Sequence, residues 1–204
     1  MKLQRQIGEH TVIVECGDDL SAQGEALLNK MVELNGRGPA LRDGTVIEFG
    51  WAPIKLRAGA DGLIACEPDF DGDALANYVP GVDRLLRVLS SQVALLRAIG
   101  VEPMAARFNE KLVAKKNCWQ LVRLYLEREP TTRAGDSGWY VGDENHPAAR
   151  EQPGELEAVY IYQLLKLRPG LMKVLALPPG YLIFMDEDEP ESIFDPEGRD
   201  LWAV

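Results

Sequence analysis

The segment RAGDSGWYVGDENHP, residues 133–147, indicates more about the fold than any other stretch of this chain. It contains glycines, which tolerate backbone angles that other residues avoid, and small polar residues that can hydrogen-bond to their own backbone. The pattern therefore predicts a turn, a short strand of four residues and a second turn. The turn-forming residues are Asp136, Ser137, Gly138 and Gly142.

Two adjacent aromatic residues, Trp139 and Tyr140, lie in that predicted strand. At least one of the two rings must either fill the core or face a partner, since Trp and Tyr are enriched among the residues that dominate binding. The flanking Gly and Asp residues favour an exposed strand end, which makes Trp139 the best candidate for an interface. Packing of Trp139 in the core is the alternative.

The composition is that of a folded, acidic protein. Hydrophobic residues make up 46% of the 204 residues, and the formal net charge is −10. This length suits one large domain or two small ones. The negative charge argues against nonspecific binding of nucleic acids or anionic membranes, because both depend on Lys and Arg. It favours a basic protein as the partner.

The N-terminal sequence MKLQRQIGEHTVIVEC lacks the apolar run of a secretory signal or a membrane anchor. The cysteines are spaced about fifty residues apart, which favours buried free thiols over a disulfide framework or a zinc site. They are Cys16, Cys66 and Cys118. We therefore expect a cytoplasmic protein without a membrane-spanning segment.

Hydrophobic periodicity predicts an α+β fold, with antiparallel sheets covered by amphipathic helices in two closely packed halves. The expected N-terminal elements are a strand over 11–16, a helix ending at 35–36, three strands over 44–70 with turns at 52–53 and 60–62, and a helix over 82–99. The segment 118–129 could form a strand or a helix, and the alternation of its side chains favours the strand. The other expected C-terminal elements are a helix over 155–167, a strand over 181–185 and a short strand at 201–202. Asp19 and Ser21 are candidate caps of the first helix. We place the two domains at residues 1–110 and 111–204.

Two segments are rich in acidic residues. The segment DFDGD, residues 69–73, resembles the start of a calcium loop, but such a loop needs a bidentate Glu where this chain has Pro80. We therefore expect no calcium site there. The second segment is either a solvated loop or an electrostatic surface that steers a basic partner. Its members are Asp186, Glu187, Asp188, Glu189 and Glu191.

Catalytic motifs are lacking in the sequence. His10 and His146 are the only histidines, which leaves few options for acid–base catalysis by histidine. Ser137 does not lie in a nucleophile elbow, and no phosphate-binding loop or dinucleotide fingerprint is present. Asp143 and Glu144 could in principle act as an acid and a base, but adjacent side chains usually point apart. We predict that the protein is not an enzyme and uses no cofactor or metal.

Several features of residues 117–204 occur together: LYLERE, DSGWYVGDE, IYQLLKLRP, PPGYLIFMDEDE and a terminal aromatic residue. In these features the chain resembles the immunity protein 33 domain family. The resemblance implies an interaction protein that neutralises a secreted bacterial toxin inside the producing cell, and it transfers no catalytic residues. The family motif is either a fold signature or a toxin-binding face. It falls on Asp136, Ser137, Gly138, Trp139, Tyr140, Gly142, Asp143 and Glu144.

The leading hypothesis is a cytoplasmic immunity protein that binds a basic cognate toxin. The alternative is a small-molecule-binding or regulatory module, with a pocket between the two halves lined by Trp51, Trp119 and Tyr162. A hydrolase that uses carboxylates and a divalent metal is a third hypothesis, and an exposed strand edge could pair with a second copy to form a homodimer. The contact residues expected under the leading hypothesis are Asp136, Trp139, Tyr140, Asp143, Glu144, Asp186, Glu187, Asp188 and Glu189.

Overall fold

The computed structural model describes residues 1–145 and 153–202. In these residues the predicted α+β class is confirmed, since two six-stranded sheets are accompanied by α-helices. Each sheet is antiparallel apart from one parallel strand pair. The chain divides into two compact units, Met1–Ser90 and Ser91–Val204. The domain boundary at residue 110 stays a prediction.

The first unit contains one sheet and one complete helix. Its elements are β1 Lys2–Ile7, β2 His10–Glu15, α1 Ser21–Arg37, β3 Val46–Phe49, β4 Ala52–Gly59, β5 Gly62–Pro68 and β6 Tyr78–Pro80. The strands lie in the order β1-β2-β5-β4-β3, and β6 pairs with β5. The strand expected over 11–16 is confirmed as β2, and the three strands expected over 44–70 are confirmed as β3, β4 and β5.

The turn between β3 and β4 lies at Gly50 and Trp51, so the turn expected at 52–53 is wrong. Gly50 has a φ of +66°, a left-handed conformation that glycine adopts without strain. The Trp51 ring is fully buried and stacks on Phe70, with 5.1 Å between ring centroids. Its Nε1 donates to the Leu85 carbonyl oxygen at 3.2 Å. The observed turn therefore comes before the Ala-Pro pair on which the prediction rested, and it coincides with burial of the large Trp51 ring.

The helix α1 begins without a side-chain cap, so the expectation that Asp19 or Ser21 caps it is wrong. A 3-10 turn leads directly into the helix. The Asp19 carboxylate instead forms an ion pair with Arg87, at 2.6 Å. The helix also continues through the expected end at 35–36 and stops at Arg37.

A second long helix, α2 Asp83–Ile99, carries the apolar stripe that the sequence predicted over 82–99. It contains the division between the two units. Gly100, with a φ of +69°, ends the helix in the left-handed conformation that is typical of helix termini. Like the other helices in the described part of the chain, α2 is not long and apolar enough to cross a membrane.

A buried carboxylate binds the N-terminus of α2. The Glu67 side chain is 7% exposed, and its Oε2 accepts a hydrogen bond from the Leu85 backbone N–H at 2.9 Å. This contact satisfies a backbone donor that the first turn of a helix leaves without an intrahelical partner. Burial nevertheless raises the pKa of Glu67 from 4.5 to about 7, because the loss of hydration outweighs the stabilising backbone hydrogen bonds.

We expect Glu67→Gln to remove a pH dependence of stability. Between pH 4.5 and about 7 the folded protein keeps a proton on Glu67 that the unfolded chain has lost, so the free energy of unfolding falls as the pH rises. The fall is on the order of 2–3 kcal/mol. It should be absent in the variant, which keeps an acceptor oxygen. Urea unfolding of both proteins across this pH range measures the difference, and parallel profiles would refute the expectation.

The second unit is built around the other sheet. Its elements are β7 Lys111–Lys115, β8 Arg123–Arg128, β9 Asp136–Asp143, β10 Leu156–Tyr160, α3 Leu164–Leu167, β11 Leu182–Asp186 and β12 Glu189–Phe194. The strand order is β10-β7-β9-β8-β11-β12, with β7 and β9 parallel. The strand expected over 181–185 is confirmed as β11, and the strand expected over 118–129 is confirmed for its second half, β8.

Two expected C-terminal elements are wrong. The segment 155–167 is not one helix, because β10 pairs with β7 and only the short α3 is α-helical. Pairing with β7 buries Val159 on the sheet, which outweighs the helical spacing of the apolar residues. No strand forms at 201–202 within the described residues. There, Leu201 donates its backbone N–H to the Ile193 carbonyl oxygen at 2.8 Å after a turn.

The expected free thiols are confirmed. Cys16, Cys66 and Cys118 are all unbonded to one another and buried. Burial raises the pKa of the Cys16 and Cys66 thiols, which disfavours the reactive thiolate form. These cysteines therefore act as small apolar core residues.

Candidate functional site

The strand β9 runs through the sheet of the second unit between β7 and β8. It is eight residues long, so the expected four-residue strand between two turns is wrong. Ser137, Trp139 and Val141 are buried, whereas Tyr140 is half-buried. Because successive side chains of a strand point to opposite faces, Trp139 and Tyr140 lie on different sides of the sheet. We call the Trp139 side the core face and the Tyr140 side the open face.

Trp139 packs in the core of the second unit. Its side chain is 1% exposed, and its Nε1 donates to the Leu175 carbonyl oxygen at 3.2 Å. The Arg128 guanidinium lies 5.6 Å from the centroid of its ring, a distance typical of cation–π contacts. Of the two alternatives for Trp139, core packing therefore holds and the exposed position is wrong. The reason is that its flanking glycines belong to a strand with a neighbour on each side.

Arg128 of β8 is a buried cation whose hydrogen bonds go to backbone carbonyls. It is 6% exposed, and its Nε donates to the Ser137 carbonyl oxygen at 3.1 Å. Its Nη1 donates to the carbonyl oxygens of Met104 at 2.5 Å and Leu177 at 2.6 Å. Burial lowers the pKa of the guanidinium, although arginine remains charged at physiological pH. Arg128 thus links the sheet to two irregular segments of the same unit.

The other residues of the DSGW motif connect β9 to its neighbours. The Ser137 hydroxyl donates to the Lys111 carbonyl oxygen at 2.9 Å, and Asp136 Oδ1 accepts the Gly138 backbone N–H at 2.9 Å. Gly138 has a φ of +75°, and a Cβ at this position would lie 2.1 Å from the Glu129 carbonyl oxygen. Only glycine permits this close approach of β9 to the chain that follows β8. The motif therefore has a structural role.

Four aromatic side chains form a continuous row on the open face, and we call this row the aromatic strip: Tyr140, Tyr125, Phe184 and Phe194. The ring centroids are 5.6 Å apart for Tyr140 and Tyr125, 6.5 Å for Tyr125 and Phe184, and 6.1 Å for Phe184 and Phe194. Tyr125 is 8% exposed, and the other three rings are half-buried. Val113, which is paired with Tyr140 across β7 and β9, is 37% exposed. The described residues thus leave an apolar row in contact with solvent.

The sequence patterns did not identify three members of this strip, Tyr125, Phe184 and Phe194. A signal was present, because apolar and aromatic residues alternate in RLYLER and LIFMD. Alternation does not show which strands pair, however. The row exists because β8, β11 and β12 are neighbours in the register that aligns these rings.

The acidic block at residues 186–189 spans the turn between β11 and β12. Most of its carboxylates have basic partners, so the block is largely neutralised and contributes less to the surface field than its composition suggests. The ion pairs join Asp186 to Arg123 at 4.0 Å, Asp188 to Arg168 at 2.8 Å and Glu189 to Lys173 at 2.6 Å.

Arg123 brings together acidic residues that are distant in the sequence. Its guanidinium lies 3.5 Å from Glu144, 3.1 Å from Glu191 and 4.0 Å from Asp186. The structure therefore places two of the expected contact residues, Glu144 and Asp186, around one shared base. Asp143, the expected contact residue next to Glu144 in the sequence, pairs instead with Lys115 of β7, at 3.4 Å.

A cavity of about 310 Å³ opens beside Tyr140 and Val113, and three carboxylates line it. They belong to Glu127, Glu129 and Asp136. Within residues 1–145 and 153–202, neither Glu127 nor Glu129 has an ion-pair partner. Partial burial, and secondarily the charge of Glu129, raise the pKa of Glu127. We call this feature the acidic cavity. Of its three carboxylates, only Asp136 belongs to the contact residues expected from the sequence.

The calcium-like segment 69–73 forms a loop with internal contacts. Asp71 pairs with Arg84 at 2.5 Å, and two further aspartates of the loop accept hydrogen bonds from nearby backbone N–H groups. Across the described ranges, no group of three or more His, Cys, Asp or Glu side chains is arranged to hold a metal ion. His146 lies outside the described residues.

The aromatic residues of the small-molecule hypothesis each contact a neighbour within their own unit. Trp51 is buried in the first unit, as described above. In the second unit, the Trp119 Nε1 donates to Glu157 Oε1 at 3.0 Å. The Tyr162 ring stacks on Tyr160, with 5.7 Å between centroids. A pocket that these residues share stays a prediction.

The Imm33-like domain family matches residues 91–196, just over half of the chain. The match begins at the first residue of the second unit and includes all strands of its sheet. It therefore covers the buried Arg128 and Trp139, the aromatic strip and the acidic cavity. No curated protein and no solved structure matches the chain significantly.

Proposed function

The chain belongs to the Imm33-like domain family, and on this premise we propose that it is an immunity protein that binds and neutralises a cognate toxin in the cytoplasm. The resemblance of residues 117–204 to the immunity protein 33 domain family agrees with this membership. An immunity protein of this kind acts by binding, so we expect the purified protein to turn over no substrate.

The open face of the second sheet is the observation that supports this proposal most directly. The aromatic strip presents three half-buried rings beside Val113, and charged side chains surround them. Large aromatic residues in partly desolvated positions dominate the binding energy of many interfaces, and the polar residues around them exclude water. Buried residues on the core face, such as Trp139, hold these rings in place, and a rigid surface loses less entropy on binding.

The charge of the chain indicates the chemistry of the partner. A net charge of −10 attracts a basic toxin and accelerates its association. In this proposal Trp139 contributes indirectly, because it positions β9 from the core face. The proposed contact residues are the aromatic strip together with Asp136, Asp143, Glu144, Asp186, Glu187, Asp188 and Glu189.

The proposal is tested by mixing the protein with the product of the neighbouring toxin-like gene and measuring affinity by calorimetry. We expect a stable complex, and we expect Tyr140→Ala combined with Phe184→Ala to weaken it roughly 100-fold, as two interface hot spots would. Circular dichroism of the double variant verifies that it is folded.

The matched control truncates two exposed apolar side chains of the first unit, Val32→Ala with Val46→Ala. It should leave the affinity unchanged. Equal weakening by both double variants, or none by the strip variant, would place the interface elsewhere. If the wild-type protein forms no complex with the toxin, the proposed function is wrong. Size-exclusion chromatography of the protein alone tests separately whether a second copy pairs along the edge strand β10.

A further inference from the structure

The carboxylates on the strands and turns of the second sheet differ in whether they have a basic partner. One group has basic partners within 4.0 Å, whereas Glu127 and Glu129 have none among residues 1–145 and 153–202. These two glutamates are close enough that the charge of Glu129 disfavours ionisation of Glu127. The paired group consists of Asp143, Glu144, Asp186, Asp188 and Glu189.

The acidic cavity lies where β9 approaches the chain that follows β8. Tyr140 stands directly opposite Glu127 across β8 and β9. Two positions earlier, on the same face, β9 has Gly138, which lies too close to the Glu129 carbonyl oxygen to carry a side chain. Gly138 lines the cavity together with Tyr140 and the three acidic residues. The glycine that permits the close approach of the two chain segments therefore also forms part of the cavity wall.

We propose that the acidic cavity receives a lysine or arginine side chain of the partner protein, while the aromatic strip packs against apolar side chains around it. The inference rests on the proposed function, because it names the chemistry of the partner at the same face. It commits the partner to a contact segment in which a basic residue is flanked by apolar residues.

Charge complementarity favours this occupant over others. When a partner covers the open face, Glu127 and Glu129 lose solvent, and a carboxylate without a partner is costly in such a place. An arginine or lysine of the partner would replace the lost water with charge-assisted hydrogen bonds, whereas an anionic or apolar group would not. The Tyr140 ring adds a face on which a guanidinium can stack.

The first test uses a short probe, acetyl-Val-Arg-Val-amide, with acetyl-Val-Glu-Val-amide as its matched control. We expect the arginine peptide to bind weakly and to shift the backbone NMR signals of residues 127–129 and 136–140. Glu127→Gln combined with Glu129→Gln keeps the shapes of the side chains and should weaken this binding at least about fivefold. Equal shifts with both peptides, or shifts confined to other residues, would overturn the inference.

The second test uses the complex with the toxin. The same double variant should raise the Kd roughly 30-fold, as expected for charged pairs that become desolvated in an interface. Glu25→Gln with Glu33→Gln removes two ion-paired charges from α1 of the first unit, outside the proposed contact residues, and should change the Kd less than about threefold. Equal effects of the two double variants would overturn the inference and leave the proposed function standing. Binding of the arginine peptide without binding of the toxin would support the acidic cavity as a site for basic side chains and would contradict the proposed function.

Discussion

Trp139→Ala is expected to lower the free energy of unfolding by about 4 kcal/mol, within the range for truncation of a large buried aromatic residue. The side chain is 1% exposed, and its Nε1 donates to the Leu175 carbonyl oxygen. Truncation creates a cavity behind the sheet and leaves a buried carbonyl without its donor. Urea unfolding followed by circular dichroism measures the loss.

The neighbouring residue provides the matched control. Tyr140 lies on the open face and is half-buried, so Tyr140→Ala should cost only about 1 kcal/mol of stability. It should weaken binding of the toxin instead. Similar losses of stability in the two variants would be inconsistent with a buried Trp139 and a partly exposed Tyr140.

Arg128→Met is expected to lower the free energy of unfolding by about 3–4 kcal/mol. Methionine keeps the apolar stem of the side chain but donates no hydrogen bonds, so the carbonyl oxygens of Ser137, Met104 and Leu177 each lose a charged donor. Because arginine stays charged, the loss should be the same near pH 6 and near pH 8. Chemical unfolding at both pH values measures it.

Arg123 at the other end of β8 is the control for Arg128. Its side chain is 44% exposed and shares its charge among several carboxylates on the surface. Arg123→Met should therefore lower the free energy of unfolding far less than Arg128→Met does, as is usual for exposed ion pairs. A loss as large as that of Arg128→Met would mean that the number of ion pairs, and not burial, determines the contribution of each arginine.

These two predictions share a structural basis. Arg128 and Trp139 stand opposite each other across β8 and β9. They belong to the two segments, LYLERE and DSGWYVGDE, that carry much of the resemblance to the family. The two segments meet at this residue pair in the core of the second unit. Glu127 and Tyr140, which alternate with Arg128 and Trp139 along the two strands, lie on the open face. There we expect a change to alter binding of the proposed partner more than folding.

Elements with a strong local pattern were predicted correctly from the sequence. The run of β-branched and apolar residues over 11–16 became β2, and the apolar stripe over 82–99 became α2, ended by Gly100. The segment 155–167 was predicted wrongly as one helix. Its apolar residues have helical spacing, whereas hydrogen bonding to β7 draws its first part into the sheet. The candidate site was predicted in part, through Tyr140 and the acidic residues of β9.

Local sequence dictates the direction of each side chain relative to its own backbone. The period of a strand places Trp139 and Tyr140 on opposite faces wherever that strand lies. Tertiary structure decides which face is covered, because burial depends on segments distant in the chain, such as the one that contains Leu175. It also decides which carboxylates have partners. Arg168 and Lys173 neutralise the acidic block that the sequence made conspicuous, whereas the acidic cavity forms only where β8 and β9 meet.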